Sequence, residues 1–292
     1  MAESFQVVDL VDSPRADAGE PMDERTQLAV RHFRFRENPF PDNVDPRFFF
    51  RTEAHEDAYI HMHRCIEEHV AVGLTTAPSG TGKTLLTQIL LNEMDPTRVE
   101  PALVLAWPGM SRTGLLRELA GEMGIDDLSP RATLHQAMSA IQERIVALHH
   151  EGRKLVVMID ECHFLGHEPL QMIRTLSNIE LPERKLVTIL LFAEESFLTK
   201  MDKPQYASLF NRMFVRAHLR PLTAAETQQY IKFRCLVGGG SASVFAPEFY
   251  GAVHEASKGI PREINRLCHA ALFAAARDEA PKVGSLASDK KP

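Results

Sequence analysis

Four short and unbroken apolar runs, HVAVGLTT, PALVLAW, KLVVMID and KLVTILLFA, alternate with segments whose apolar residues recur at helical spacing. This alternation limits the fold more than any other feature. A strand that is apolar at every position is covered on both faces, and strands separated by helices run parallel. The chain is therefore expected to form an α/β core, a parallel sheet enclosed by the helices KTLLTQILLNEM, TGLLRELAGEM, ATLHQAMSAIQERIVALHH and HEPLQMIRTLSNI. After residues 221–223 (PLT) the strand signals stop. Thr223 and Glu226 read as a capping box for AAETQQYIKFRC, the run VGGGSAS breaks the chain, and FAPEFYGAVHEAS and PREINRLCHAALFAAARDE follow as two more helices. A small all-helical appendage is the simplest reading.

Residues 1–25 and 279–292 are polar and lack apolar periodicity, so both are expected to be disordered tails. With 44% apolar residues among 292, the rest can pack a core. No stretch approaches the roughly 20 apolar residues of a membrane helix, and the N-terminus lacks a signal-peptide pattern. The expected address is cytoplasmic. Cys65, Cys162, Cys235 and Cys268 are far apart, which argues against a disulfide or zinc framework. The net charge of −6 weighs against general attraction to nucleic acid while leaving room for a local basic patch.

Between the first apolar run and the first helix lies TTAPSGTGKT, residues 75–84. Its order, strand then loop then helix, is that of a phosphate-binding loop, although Ala77 stands where the GxxxxGK[ST] pattern begins with glycine. Residues Pro78, Ser79, Gly80, Thr81, Gly82, Lys83 and Thr84 would wrap the phosphates. The two glycines let successive N–H groups face inward, Lys83 is a point charge for the outer phosphates, and the Thr84 hydroxyl can ligate Mg²⁺. Ala77 is compatible if its φ is negative. Downstream, KLVVMIDECHFL ends a buried strand in two carboxylates. Asp160 would hold Mg²⁺, and Glu161 would orient the water that attacks the γ-phosphate of ATP.

Loop, acidic strand and helical appendage together resemble an AAA+ ATPase. The segment FRENPFPDNVDPRFFF, with Asn38, Pro39, Phe40, Asp45, Pro46, Arg47 and Phe48, resembles the leader of the ExeA and MshM group of secretion and pilus-associated ATPases. SLFNRMFVRAHLRPLTAAETQQYI and KGIPREINRLC resemble that group's later signatures. The resemblance covers residues 33 to 277. It implies a P-loop NTPase fold of three layers with a C-terminal helical lid. The blocks expected are a leader over 26–68, packed near the adenine site, a nucleotide-binding core over 69–221, and the lid over 222–278.

The resemblance also carries roles. Arg212 falls at the position of an arginine finger that reaches a neighbouring subunit, with Arg216 in reserve, which implies an ATP-dependent homo-oligomer. Arg262 falls at the sensor-2 position, beside a helix start favoured by Pro261. Phe40, Pro46 and Phe48 are candidates for the adenine pocket or, equally, for core packing. Glu194 departs from the neutral polar sensor usual after the last core strand. Either the sensor role shifts or hydrolysis is slow, with a stimulator as one remedy.

The client implied is a secretion or pilus-assembly protein, through which the chain would be recruited to the inner membrane without inserting itself. An alternative is a DNA-binding regulator of transposition like TnsC, TniB or MuB. Its basic stripe would draw on Arg131, Arg144, Arg153 and Lys154, and the acidic balance disfavours it. Metal-like pairs at His61/Cys65 and His163/His167 lack a third ligand nearby in sequence.

Overall fold

The computed structural model describes residues 23–125, 128–129 and 131–284. The tails expected over 1–25 and 279–292 lie largely outside the described residues. The chain divides into two compact units, one of residues 51–220 and one that joins residues up to 50 with those from 221 onward.

The first unit is built on a five-stranded parallel sheet. Its strands are β1 (Val72–Thr76), β2 (Val99–Leu105), β3 (Lys154–Asp160), β6 (Val187–Ala193) and β7 (Val215–His218), in the order β2-β3-β6-β1-β7. Two-residue strands β4 (Glu180–Leu181) and β5 (Arg184–Lys185) form a separate antiparallel pair. All five residues of β1 and all seven of β6 are buried, as strands covered on both faces must be. β7 is an edge strand with the half-exposed sequence VRAH, and no apolar run announces it. Helices α2 (Glu53–Glu67), α3 (Lys83–Glu93), α4 (Arg112–Glu122), α5 (Leu134–His150), α6 (His167–Leu176), α7 (Ser196–Met201) and α8 (Ala207–Phe210) cover the two faces.

Local chemistry sets the helix starts. Thr52 and Ser111 accept N–H bonds from His55 and Gly114, and Thr133 forms a full capping box with Gln136. The core between sheet and helices includes Leu74, Leu116, Ile141, Leu155, Ile189 and Phe197, each under 2% exposed.

The second unit holds α1 (Glu24–His32), the turn Pro46–Phe48, α9 (Ala224–Val237), α10 (Pro247–Ser257) and α11 (Pro261–Arg277). The Thr223–Glu226 capping box of α9 is present. α1 packs on α11, and the core collects Phe33, Phe35 and Phe40 from the leader with Ile231, Phe249, Ile264 and Leu272 from the helices. Arg234 is buried here with every visible need met. Its Nε donates to the Pro39 carbonyl at 2.7 Å, Nη1 donates to Tyr230 Oη at 2.7 Å, and its guanidinium lies 4.4 Å from the Phe48 ring centroid.

Two segments differ from the sequence reading. VGGG closes α9 against the leader instead of serving as a free break, because a Cβ on Gly240 would lie 2.2 Å from the Phe35 ring. Val283, in the expected C-terminal tail, is 3% exposed and bridges Phe245.

Candidate nucleotide-binding site

β1 ends beneath the loop and α3 begins above it. Ala77 extends the sheet, donating its N–H to the Ala193 carbonyl at 3.1 Å, and it is fully buried. It is not among the residues with positive φ, so a methyl group fits where the pattern has glycine. Gly80 (φ 79°) and Gly82 (φ 106°) take the left-handed conformations that make the loop curl back on the helix start. Lys83 is 4% exposed, and its Nζ donates to the carbonyls of Ala77 and Pro78, each at 3.2 Å. The buried ammonium thus closes the loop with a positive charge at the end of a helix N-terminus. The Thr81 hydroxyl donates to the Pro78 carbonyl at 2.8 Å, while Ser79 stays exposed.

The acidic strand end meets this loop directly. Thr84 Oγ1 donates to Asp160 Oδ2 at 2.8 Å, and Asp160 Oδ1 accepts the Glu161 N–H at 2.8 Å. β6 separates β3 from β1 in the sheet, so this contact is made one strand across. A hydroxyl beside a carboxylate is an all-oxygen donor set of the kind that suits Mg²⁺. Together with the buried lysine and the glycine-formed cradle, the residues fit a Mg·nucleotide.

Glu161 has φ 53°, a conformation uncommon outside glycine and often found where a side chain is aimed for function. Its Oε2 lies 3.3 Å from His163 Nδ1, and His163 Nε2 lies 3.9 Å from Glu194 Oε2. The unusual Glu194 therefore faces an imidazole. Burial pushes the neighbouring Cys162 thiol well above its usual value, which leaves it an inert core group.

Other expected residues lie elsewhere. Arg212 precedes β7, which starts opposite Gly73 and runs parallel to β1, so Arg212 sits at the entry end of the strands and the loop at their exit. It lies close enough to Lys185 to lower that ammonium, after burial. Arg216, on β7, is used by the residues just before that strand. Its Nε donates to the Met213 carbonyl at 2.8 Å, Nη2 donates to the Phe210 carbonyl at 3.1 Å, and the guanidinium stacks 3.7 Å from the Phe210 centroid. In the second unit Arg262 is exposed and lines a cleft of about 420 Å³ with Asn38, Phe40, Asp42 and His269. Phe40 is 3% exposed with its ring edge-on to Phe245 at 5.9 Å, and Pro46 opens the half-buried turn Pro46–Phe48.

Two supports were not legible in the sequence. His55, on α2, places Nε2 3.1 Å from the Thr81 carbonyl and Nδ1 2.7 Å from Thr52 Oγ1. Only packing shows that this helix braces the loop. His163 carries a faint signal, its place two residues after Glu161, but its second carboxylate comes from another strand. The pairs His61/Cys65 and His163/His167 do not form metal sites: Cys65 is buried with its thiol against the sheet, and His163 turns to the two glutamates.

The arginines considered for DNA are mostly engaged. Arg144 pairs with Glu151 at 3.2 Å and Glu100 at 3.8 Å, and Arg153 pairs with both of these carboxylates. Lys154 is half-buried, and burial lowers it to about 8.

Comparison with known proteins agrees with this geometry. Residues 66–201 match the AAA domain family. The chain is 30% identical over 248 residues to the General secretion pathway protein A of Aeromonas hydrophila, an alignment covering 85% of this chain and 45% of that protein. The chain thus spans about half the length of this relative. Among solved structures it is similar to the Cdc6p of Pyrobaculum aerophilum (TM-score 0.65, 13% identity, 83% of this chain and 66% of that one). It is also similar to the ADPNP-ADP complexes of the Aeropyrum pernix ORC2 protein (TM-score 0.62, 18% identity, 84% and 68%). At such identities these likenesses show the fold, a P-loop AAA+ core with a parallel sheet and C-terminal helices.

Proposed function

We propose that this chain, which carries an AAA domain over residues 66–201, binds Mg·ATP at the loop 78–84 and hydrolyses it. The observation that carries the reading is the Thr84–Asp160 hydrogen bond, which joins the loop to the acidic strand end beside the buried ammonium of Lys83. Loop N–H groups and Lys83 would hold the phosphates, and Thr84 with Asp160 would hold Mg²⁺, which supplies charge neutralisation on the phosphate oxygens when bound. Glu161 would orient and deprotonate the attacking water. From the motifs alone, Arg262 would be a further phosphate contact, and Phe40 and Pro46 are candidates for the adenine pocket or, equally, for core packing.

Arg212 would act on a neighbouring copy. Its position at the strand entry, away from its own loop, is the arrangement a trans-acting arginine needs, and it makes turnover depend on assembly into a homo-oligomer. The similarity to General secretion pathway protein A supports a client in secretion or pilus assembly, whose contacts the oligomer would remodel. No helix among the described residues is long and apolar enough to cross a membrane. Recruitment to the inner membrane through that client is part of the same proposal. Duplex DNA is disfavoured, because Arg144 and Arg153 are paired with carboxylates.

Phosphate release from ATP, with Mg²⁺ and at increasing protein concentration, tests this reading. Turnover should rise more steeply than protein concentration. Glu161→Gln should lower it by about 10²–10⁴ while ATP still binds. Wild-type protein that binds no ATP, or a Glu161→Gln variant with undiminished turnover, would sink it.

A further inference from the structure

The turn after β3 gathers metal-binding side chains from two strand ends. Glu161 leaves β3, His163 follows in the short turn Cys162–Phe164, and Glu194 stands just after β6. One donor atom from each lies within 4.8 Å of the others, and among the described residues this trio is the group so assembled. We infer that Glu161, His163 and Glu194 form a second cation site, for a borderline divalent ion of the zinc and cobalt class, separate from the Thr84–Asp160 pair.

The donor chemistry selects the ion. Zinc holds imidazole nitrogen and carboxylate oxygen at about 2.0–2.2 Å in a tetrahedron, so two donors on one ion stand roughly 3.4 Å apart. Closing from the 4.8 Å limit takes roughly 1.4 Å, a distance that side-chain rotation of the two glutamates covers. An imidazole favours zinc or cobalt, whereas Mg²⁺ prefers oxygen alone and remains suited to Thr84 and Asp160.

The site is also held in place and accessible. The His163 carbonyl accepts from Lys200 Nζ at 2.5 Å, and Lys200 also donates to the Leu165 carbonyl at 3.0 Å, which fixes the turn on α7. The His163 side chain is 11% exposed, but the side chains of Glu161 and Glu194 are 31% and 35% exposed. Solvent can deliver an ion and complete its shell. A cation here offsets two carboxylates that otherwise share one imidazole. Resting on the ATPase reading, it would also engage Glu161 and so stop hydrolysis, making the site inhibitory.

The test titrates the nucleotide-free full chain with Co²⁺, followed by ligand-field absorption, with Zn²⁺ competition measured by calorimetry. One ion per chain is expected, displaced by Zn²⁺ and not by excess Mg²⁺, and retained in Thr84→Ala. Loss of an outer-shell partner alone weakens metal binding about 10- to 100-fold. His163→Ala, which removes a direct ligand, should therefore weaken it by at least about 100-fold. Glu194→Gln, on the other strand end, should also weaken it and guards against a collapsed turn in the histidine variant. Absent or superstoichiometric binding, binding unchanged in both variants, or a thiolate-to-cobalt charge-transfer band would overturn the site. Zn²⁺ should then depress ATP turnover of wild type relative to its own zinc-free rate at concentrations that leave Glu194→Gln at its own zinc-free rate, whatever that rate is, and equal fractional inhibition of both would overturn the inhibitory role. Because the titration contains no nucleotide, a protein without ATP turnover would refute the ATPase reading and leave the metal result standing.

Discussion

His55 Nε2 lies 3.1 Å from the carbonyl oxygen of Thr81, so a helix that precedes the sheet braces the tip of the loop. The ring is 4% exposed, and a Cβ on Gly82 would approach it to 3.3 Å. Removing a buried partner costs about 1–3 kcal/mol. His55→Ala is therefore expected to melt several degrees lower and to bind nucleotide more weakly. Unchanged melting and affinity would show the contact to be idle.

On the proposed reading, Lys83 and Asp160 would act on different parts of the ligand. Lys83→Ala should lose ATP binding with or without Mg²⁺. Asp160→Asn should keep Mg²⁺-free binding and lose the gain that Mg²⁺ brings. Calorimetric titrations with and without Mg²⁺ separate the two, and identical behaviour of the variants would contradict the division.

On the proposed reading, Arg212 at the strand entry and Glu161 at the strand exit would belong to different composite sites in an oligomer. Arg212→Ala should lower turnover by about 10³ or more, as loss of an arginine finger does. Mixing Arg212→Ala with Glu161→Gln copies should restore part of the rate, because one supplies the arginine and the other the carboxylate. A mixture as inactive as its components would place Arg212 outside the reaction.

Lys154 offers a pH test. Burial comes first among the causes that bring it from 10.5 down to about 8, with Arg98 and Arg184 adding to the effect against the pull of Glu67. Between about pH 8 and 10.5 the unfolded chain holds more protons on this group than the folded one, so its contribution to stability rises with pH. Below pH 8 the charged, half-buried lysine is a constant cost. Lys154→Met should be more stable than wild type at pH 7, and the gain should shrink toward pH 10 in denaturant melts. A gain independent of pH would point to packing instead.

Gly259 has φ 71°, and a Cβ there would lie 2.0 Å from the Leu222 carbonyl oxygen, whose own N–H donates to the Gly259 carbonyl at 2.8 Å. Both the left-handed backbone and the contact exclude a side chain. Gly259→Ala should destabilise the helical unit by at least ~2 kcal/mol, read as a lower denaturation midpoint.

Much of this protein is local and could be read from sequence. The apolar runs of β1, β3 and β6 meant strands buried on both faces, the capping boxes at Thr133 and Thr223 started their helices, and GTGKT after a strand formed a glycine-bent loop at a helix start. Each depends on residues a few positions apart, where composition and spacing carry the physics.

Contacts across the sheet were decided by tertiary structure. The strand order brought Glu194 to His163, and α2 delivered His55 to Thr81. The same packing paired Arg144 and Arg153 with Glu100 and Glu151, tied Arg216 to Phe210 and Met213 just before its strand, and grouped residues 23–50 with the C-terminal helices. β7 escaped notice because an edge strand buries only one side of alternate residues and needs no apolar run. These relationships join residues far apart in the chain, and nothing in local propensity encodes which strand will lie beside which.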